Sequence, residues 1–148
     1  MIETISGLLT PLIAIITVLI LYWQFRLERN RWRLALYDKR YPVYLSTREY
    51  LCFIIQHATM TQEELDKFQR NSKDKEFLFG VDVKKYLDEL YSKGNQLMRY
   101  TRRLQKGNIE EEKRIKLIDD EENLNAWFRK QFEVSKKLFG EYLAIDKK

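Results

Sequence analysis

The chain has few of the residues on which disulfide bonds and most catalytic chemistry depend. Its 148 residues include one cysteine, one histidine, five glycines and two prolines. A single cysteine excludes an intrachain disulfide, which agrees with a reducing compartment. A single histidine excludes a metal site built on several histidines of one chain. The sequence also lacks a phosphate-binding glycine loop, a nucleophile elbow and a Cys-x-x-Cys pair. We therefore predict no cofactor, no metal and no enzymatic activity.

The remaining candidates for chemistry have simpler interpretations. Cys52 lies in an apolar stretch, so we predict that it is a small core residue rather than a nucleophile. His57 lies close to the predicted end of a long helix, where a C-terminal cap is favoured over a general base. Five residues separate the two side chains by about 140° around a helix, which excludes a Cys–His dyad. The acidic runs at 110–112 and 119–122 are interpreted as solvated faces, because consecutive carboxylates on a helix diverge.

What the sequence does contain is a long apolar run near its start. Residues 5–23 carry no charge, and a helix of this length spans about 28 Å, close to the hydrocarbon thickness of a bilayer. Tyr22, Trp23 and Phe25 follow, as in the aromatic belt of a membrane interface. We predict a transmembrane helix over residues 1–25. A cleaved signal peptide and a buried soluble helix are the alternatives. The first lacks a basic start and a small-residue cleavage site, and the second lacks enough apolar chain to enclose it.

An arginine cluster follows the apolar run and predicts its orientation. The cluster consists of Arg26, Arg29, Arg31 and Arg33, whereas Glu3 is the only charged side chain before the run. The positive-inside rule then places the N-terminus outside and the C-terminal domain in the cytoplasm. The same arginines are predicted to face anionic lipid headgroups, with about 1 kcal/mol of attraction for each basic residue near the surface.

Small and polar residues recur on one face of the predicted membrane helix. Gly7, Thr10, Ala14 and Thr17 follow one another at spacings of three, four and three residues. Small residues in such a stripe let two helices approach closely in lipid, so the stripe predicts self-association. The alternative is that each threonine hydroxyl binds only to its own helical turn. Pro11 lies one turn into the run and predicts a kink or a frayed outer end.

The rest of the chain, residues 26–148, is predicted to form one all-α domain, because its apolar residues follow helical spacing. The predicted fold is one N-terminal transmembrane helix that continues into a cytoplasmic antiparallel helical bundle. The first helix is expected to kink at Pro42 and to use an apolar stripe toward the core. That stripe comprises Leu34, Tyr37, Tyr41, Tyr44, Leu51, Ile55 and Ala58.

Local signals divide the remaining chain into three further helices. Thr61 begins a capping box, with Met60 and Leu65 as its hydrophobic staple. Gly80 is expected to adopt a left-handed cap and Asp82 to be the next N-cap. The following helix is predicted to bury one stripe, namely Val83, Leu87, Leu90, Gly94, Leu97, Thr101 and Leu104. A final tract follows a turn at 107–108, and a break near residues 119–120 is an open alternative. Its predicted stripe is Leu124, Trp127, Phe128, Phe132, Leu138, Tyr142 and Leu143.

Three segments resemble a group of small bacterial single-pass membrane proteins. They are LALYDKRYPVY at residues 34–44, FLFG at 77–80 and KYLDEL at 85–90. The resemblance covers most of the chain after Leu34 and implies a bacterial inner-membrane location and a helical fold. Its motifs are helix-packing patterns, so it implies no activity, ligand or functional residue.

The net charge of +5 is unevenly distributed along the chain. Residues 93–106 carry five cations and no acid, whereas residues 109–122 carry seven acids and three bases. Arg99, Arg102, Arg103 and Lys106 share one helix face. This face is a candidate for binding a small anionic ligand or a partner. Pairing with the acidic tract is the simpler alternative, and a domain tied to a membrane disfavours duplex nucleic acid.

These observations predict a non-enzymatic membrane protein whose cytoplasmic bundle binds a protein partner or a second copy of itself. Tyr37, Tyr41, Tyr44, Phe77 and Phe79 are the aromatic candidates for an exposed interface. The main alternative is an oligomeric effector that disrupts the membrane, for example in antiphage defence, under the control of its cytoplasmic domain. A ligand sensor that uses Arg99, Arg102 and Arg103 is a third hypothesis.

Overall fold

The computed structural model describes the backbone of residues 2–107 and 109–144, and the side chains of residues 11–107 and 109–144. Over these residues the chain is all-helical and has no strand, as predicted. The helices are α1 (Ile2–His57), α2 (Gln62–Asn71), α3 (Lys75–Leu78), α4 (Val81–Gln105) and α5 (Glu111–Leu143). They form two compact units, of which the first ends at Leu36 and the second begins at Tyr37.

The first unit is the N-terminal part of α1, and its side chains contact little besides their own helix. All side chains of residues 11–32 are exposed. The large aliphatic side chains from Leu12 to Leu21 each expose between 48% and 64% of their surface. By length and composition Pro11–His57 could cross a membrane, with a mean hydropathy of 1.4 in its most apolar window and none of that window buried. The structure therefore contains one long apolar helix of a kind that could span a bilayer.

Hydrogen bonds give the directions of the helices in the second unit. The Tyr50 hydroxyl of α1 donates to the carbonyl oxygen of Leu90 in α4 at 3.0 Å. The Tyr86 hydroxyl of α4 donates to the carbonyl oxygen of Gln131 in α5 at 3.2 Å. Near the other end of α4, the Thr101 hydroxyl donates to a Glu121 carboxylate oxygen at 2.7 Å. Because later residues of α4 contact earlier residues of α5, these two helices run in opposite directions.

The core of the second unit lies on the stripe of α4 that the sequence predicts. Val83, Leu87, Leu90, Gly94 and Leu97 are all buried. Tyr86 and Met98 of the same helix are also buried, and they widen the apolar face beyond the predicted stripe.

Tyr50 lies at the centre of this core. Its ring stacks on Phe68 of α2 at 4.2 Å between centroids and meets the ring of Phe128 of α5 edge-on at 6.4 Å. Its hydroxyl lies against Gly94, where a Cβ atom would overlap it. Burial raises the pKa of the Tyr50 hydroxyl well above its usual value, and the neighbouring Tyr91 raises it further. Tyr50 is therefore a neutral donor at physiological pH.

Several local predictions are confirmed. Thr61 is the N-cap of α2, and its hydroxyl accepts a hydrogen bond from the backbone nitrogen of Glu64 at 3.3 Å. Met60 and Leu65, the predicted staple, are both buried. His57 is the last residue of α1, and its Nδ1 lies 2.9 Å from the carbonyl oxygen of Phe53. The predicted turn falls at Gly107, which has a φ of +67° in the left-handed region that favours glycine. Its neighbour at 108 lies outside the described residues.

The predicted caps at the start of α4 are wrong. Gly80 is the N-cap and has a φ of −74°, so it is not left-handed. Asp82 lies inside the first turn of α4, where a carboxylate is favoured by the helix dipole. Besides Gly107 after α4, Ala58 is left-handed, with a φ of 52° directly after α1.

The predicted core face of α1 is confirmed only in part. Leu51 is buried, and Tyr44 is half-buried and packs against the core, as predicted. Leu34, Tyr41, Ile55 and Ala58 are exposed, whereas Val43, Thr47 and Ile54 are buried. Cys52 is exposed rather than part of the core. The other helices cover a face that begins one or two residues away from the predicted stripe, so Ser46 and Thr47 are buried despite their polarity. The alternative of a break at residues 119–120 is not realised, since α5 is continuous, and α1 likewise runs without interruption past Pro42.

Replacement of glycine by alanine is expected to change the free energy of unfolding in opposite directions at positions 94 and 140. Gly94→Ala is expected to lower the free energy of unfolding by about 1–3 kcal/mol, because the new methyl group would displace the Tyr50 hydroxyl. Gly140→Ala is expected to raise it by about 0.5–1 kcal/mol, because nothing lies within 4 Å of the added Cβ and alanine favours a helix. Urea unfolding of the full chain in a mild detergent, followed by circular dichroism, measures both.

A Tyr50→Phe background tests the cause. Removal of the hydroxyl should make Gly94→Ala less costly, although Cζ of the ring would still lie 3.0 Å from the new Cβ. A cost of Gly94→Ala that does not change in this background would show that another contact is responsible.

Candidate functional site: a cationic cavity between α4 and α5

The C-terminal end of α4, Ile109 and the N-terminal end of α5 line an open cavity of about 740 Å³. Its lining consists of Tyr100, Arg103, Lys106, Ile109, Lys113, Lys116, Leu117 and Asp120. Four of these side chains are cationic and one is anionic, so the lining has a net positive charge. Tyr100, Ile109 and Leu117 add an apolar wall.

The cations are arranged in two pairs on facing helical ends. Arg103 and Lys106 are one turn apart at the end of α4, and Lys113 and Lys116 are one turn apart in α5. Lys113 forms an ion pair with Glu110 at 2.5 Å, and both side chains are largely exposed. Within the described part of the chain, Arg103, Lys106 and Lys116 have no carboxylate within 4.0 Å. Glu110 offsets the charge of Lys113, and the other three cations give the cavity its net positive charge.

The structure separates the four cations of the predicted basic face. Arg103 and Lys106 line the cavity, whereas Arg102 does not. Arg99 lines a smaller cavity of about 230 Å³ that shares Tyr100 and Arg103 with the first. All four cations are exposed, and none forms an ion pair with the tract at 110–122 among the described residues. One acid of that tract, Glu121, instead accepts the hydrogen bond from Thr101.

Sequence reasoning missed Lys113 and Lys116. Both lie in a tract whose net charge is negative, and counting charge along the chain hid them. The signal that could have found them is their spacing of three residues, which aligns both cations on one face of α5.

The predicted membrane-association stripe is described only in part. The Thr17 hydroxyl donates to the carbonyl oxygen of Ile13 at 2.7 Å, so it is satisfied within its own helix. Ala14 is exposed. The side chains of the other two members, Gly7 and Thr10, lie outside the described residues.

The predicted lipid-facing arginines differ slightly in exposure. Arg26, Arg29 and Arg31 are exposed, and Arg33 is half-buried. Arg31 lies 3.9 Å from a Glu28 carboxylate oxygen, at the long end of the range for an ion pair.

At the opposite end of the second unit, Arg40 joins three helices. Its Nε donates to the carbonyl oxygen of Leu78 at 2.7 Å, and its Nη1 donates to that of Tyr142 at 3.2 Å. These carbonyls belong to the last residue of α3 and the last turn of α5, where no helical donor remains for them. The guanidinium also lies over the rings of Phe79 and Tyr142, at 5.8 and 5.3 Å from their centroids. The segments at residues 34–44 and 77–80 therefore meet at Arg40 and Phe79.

Tyr142 extends this contact to the start of α4. Its hydroxyl donates to a carboxylate oxygen of Asp82 at 2.6 Å and accepts from the backbone nitrogen of Gly80 at 3.2 Å. The hydrogen bond from Tyr142 lowers the pKa of the Asp82 carboxyl, and the same bond raises the pKa of the Tyr142 hydroxyl. At the end of the second unit where its chain begins, the contacts of Arg40 and Tyr142 therefore join α1, α3, α4 and α5.

Among the described residues, no group of three or more His, Cys, Asp or Glu side chains is arranged to hold a metal ion. The comparisons with known proteins gave no relatives. No protein-family model matches the chain, and neither a curated protein nor a solved structure matches it.

Arg40→Lys is expected to destabilise the second unit by about 1–3 kcal/mol, because an ammonium cannot reach both carbonyl oxygens with the geometry of the guanidinium. Lys39→Met is the matched control, since Lys39 is the exposed neighbour on the same helix and its loss should cost less than about 0.5 kcal/mol. Urea unfolding in detergent measures both variants. Equal costs would mean that Arg40 contributes only its charge.

Proposed function

We propose that this protein is a non-enzymatic, single-pass protein of a bacterial inner membrane. Its N-terminal helix crosses the bilayer with the N-terminus outside. Its C-terminal residues form a cytoplasmic antiparallel helical bundle that binds a protein partner or a second copy of the chain. The observation that carries the proposal is the fully exposed apolar surface of α1 between Pro11 and Phe25.

The exposed surface supports a membrane location because soluble monomers rarely expose apolar patches of more than a few hundred Å². The aliphatic side chains from Leu12 to Leu21 surround the helix on every side. Trp23 and Phe25 follow, with exposed rings at the position expected of an interfacial belt. Arg26, Arg29 and Arg31 come next and are exposed, and the ion pair of Arg31 is weak. These cations support the proposed orientation. The resemblance of the three sequence segments supports a bacterial inner membrane.

The contacts of the second unit support a bundle. Lys67 of α2 pairs with Glu49 of α1 at 3.3 Å, and Asn71, four residues later, donates to the Ser46 hydroxyl at 3.2 Å. Later residues of α2 thus contact earlier residues of α1, as α5 does with α4. Opposed neighbouring helices with short connections are typical of an up-down bundle.

An exposed aromatic residue supports a binding role for the bundle. Phe77 exposes 87% of its surface, and the neighbouring Val81 exposes 66%. Phe79, two residues from Phe77, is buried in the core instead. Large aromatic side chains dominate the energetics of protein interfaces. Phe77 is therefore the residue that we assign to the partner interface.

The membrane-disrupting effector is the second candidate. It is favoured by the same exposed apolar helix, since the described first unit gives its side chains no partner within one chain. In that case the membrane helices of several copies would associate through Ala14 and the rest of the small-residue stripe. The satisfied hydroxyl of Thr17 weakens a hydrogen-bonded contact there.

The native cysteine tests the topology without any substitution. Cys52 is exposed and is the only cysteine, so a membrane-impermeant maleimide reports its location directly. We expect no labelling in intact spheroplasts and full labelling after lysis. Glu3→Cys in a Cys52→Ser background is the matched control and should be labelled in intact spheroplasts. Labelling of Cys52 before lysis, or recovery of the chain in the soluble fraction, would contradict the proposal.

The oligomeric state separates the two candidate functions. We expect Phe77→Ser to reduce association of the full chain in nanodiscs, measured by native mass spectrometry, because it removes the aromatic anchor. Val134→Ser is the control, since Val134 is an exposed apolar residue of α5 outside this patch. The effector would be favoured instead by a different result. In that case Ala14→Leu would abolish both the oligomer and cell killing, whereas Phe77→Ser would change neither.

A further inference from the structure

We propose that the cavity between α4 and α5 binds a small soluble anion that carries phosphate groups together with a planar ring, as a nucleotide does. The inference goes beyond the proposed membrane function and does not depend on it. It rests on the charge of the cavity and on its apolar wall.

The charge of the cavity selects an anion with more than one negative charge. Arg103 and Lys106 at the end of one helix line it together with Lys113 and Lys116 of the next, and Asp120 supplies the only negative charge in the lining. Like charges that converge from two helices repel one another, so an anion between them is favoured. A guanidinium binds two phosphate oxygens at once, and ammonium groups bind phosphate as point charges.

The apolar wall selects an organic part of the ligand. Tyr100, Ile109 and Leu117 lie beside the cations. A hydrated inorganic ion would gain no binding energy from contact with these apolar side chains. The Tyr100 ring is held in place, because its hydroxyl accepts a hydrogen bond from the Gln96 amide at 2.5 Å. A fixed ring next to cations is suited to stacking on a planar group while its phosphates meet the charges. A cavity of about 740 Å³ has the size of a small-molecule site.

The cavity lies at one end of the second unit. Within the second unit, Asp82 lies at the end that Arg40 fixes and Arg103 lies at the other end of the same helix. At about 1.5 Å per residue, α4 separates them by about 30 Å. The cavity thus lies at the end of α4 opposite to Asp82.

Binding is tested with the full chain in nanodiscs of neutral phosphatidylcholine. The probes are adenosine triphosphate, inorganic pyrophosphate and uncharged adenosine, each titrated calorimetrically. We expect adenosine triphosphate to bind most tightly, pyrophosphate to bind more weakly and adenosine not to bind. Affinity should fall as salt is added, since the contacts are ionic.

Two neighbouring arginines provide a matched pair of variants. Arg103→Gln should weaken binding of adenosine triphosphate about tenfold, because it removes a charge-assisted contact. Arg102→Gln removes the same charge one residue away but outside the cavity, and should change the affinity less than about twofold. Lys116→Gln, on the other helix, should act like Arg103→Gln. All three residues are exposed, and circular dichroism checks that the variants keep their helices.

The outcomes decide between the sources of phosphate. Equal losses in Arg102→Gln and Arg103→Gln would reduce the site to non-specific charge and would overturn the proposal. The proposal would also be overturned if neither phosphate probe bound at a concentration of ~1 mM. The dissociation constant would then be too high for a specific site. If Arg103→Gln impairs binding only to phosphatidylglycerol vesicles, the cavity is a lipid-headgroup site and the soluble ligand is excluded.

Discussion

The close contact between Tyr50 and Gly94 is the constraint on which the rest of the second unit depends. A glycine on α4 leaves room for the hydroxyl of α1, which reaches the carbonyl oxygen of Leu90 at 3.0 Å. The same ring packs on Phe68 of α2 and against Phe128 of α5. One side chain therefore fixes the distances among four helices, and any residue larger than glycine at position 94 would change all of them.

The two ends of this core have opposite character. At one end Arg40 donates hydrogen bonds to the terminal carbonyl oxygens of two helices, and the Tyr142 hydroxyl donates one to Asp82. At the other end, Arg103 and Lys116 line a cavity, and neither forms an ion pair among the described residues. Polar groups are internally satisfied at the first end and available to a ligand at the second. The first arrangement is suited to a stable attachment and the second to recognition.

How much of the candidate site the sequence could predict is clear from individual residues. Arg103 and Lys106 were predicted to share a cationic face, because residues three positions apart align on any helix. Lys116 was not predicted, because its contribution depends on α5 turning back beside α4. Arg102 has the same charge as Arg103 and the same exposure, yet it lines no part of the cavity. Which residues line the cavity depends on the faces that α4 and α5 turn toward each other.

The sequence by itself determined the features that arise from neighbours along the chain. These are the all-helical structure, the uncharged apolar run, the N-cap at Thr61 and the buried stripe of α4, since periodicity, hydropathy and capping act within a few residues. Only the tertiary structure decided that Cys52 is exposed, that Thr47 is buried and that Gly80 rather than Asp82 caps α4. Burial depends on which face of a helix its neighbours cover, and several faces of α1 are apolar enough to be covered. The choice among them is made by packing around Tyr50.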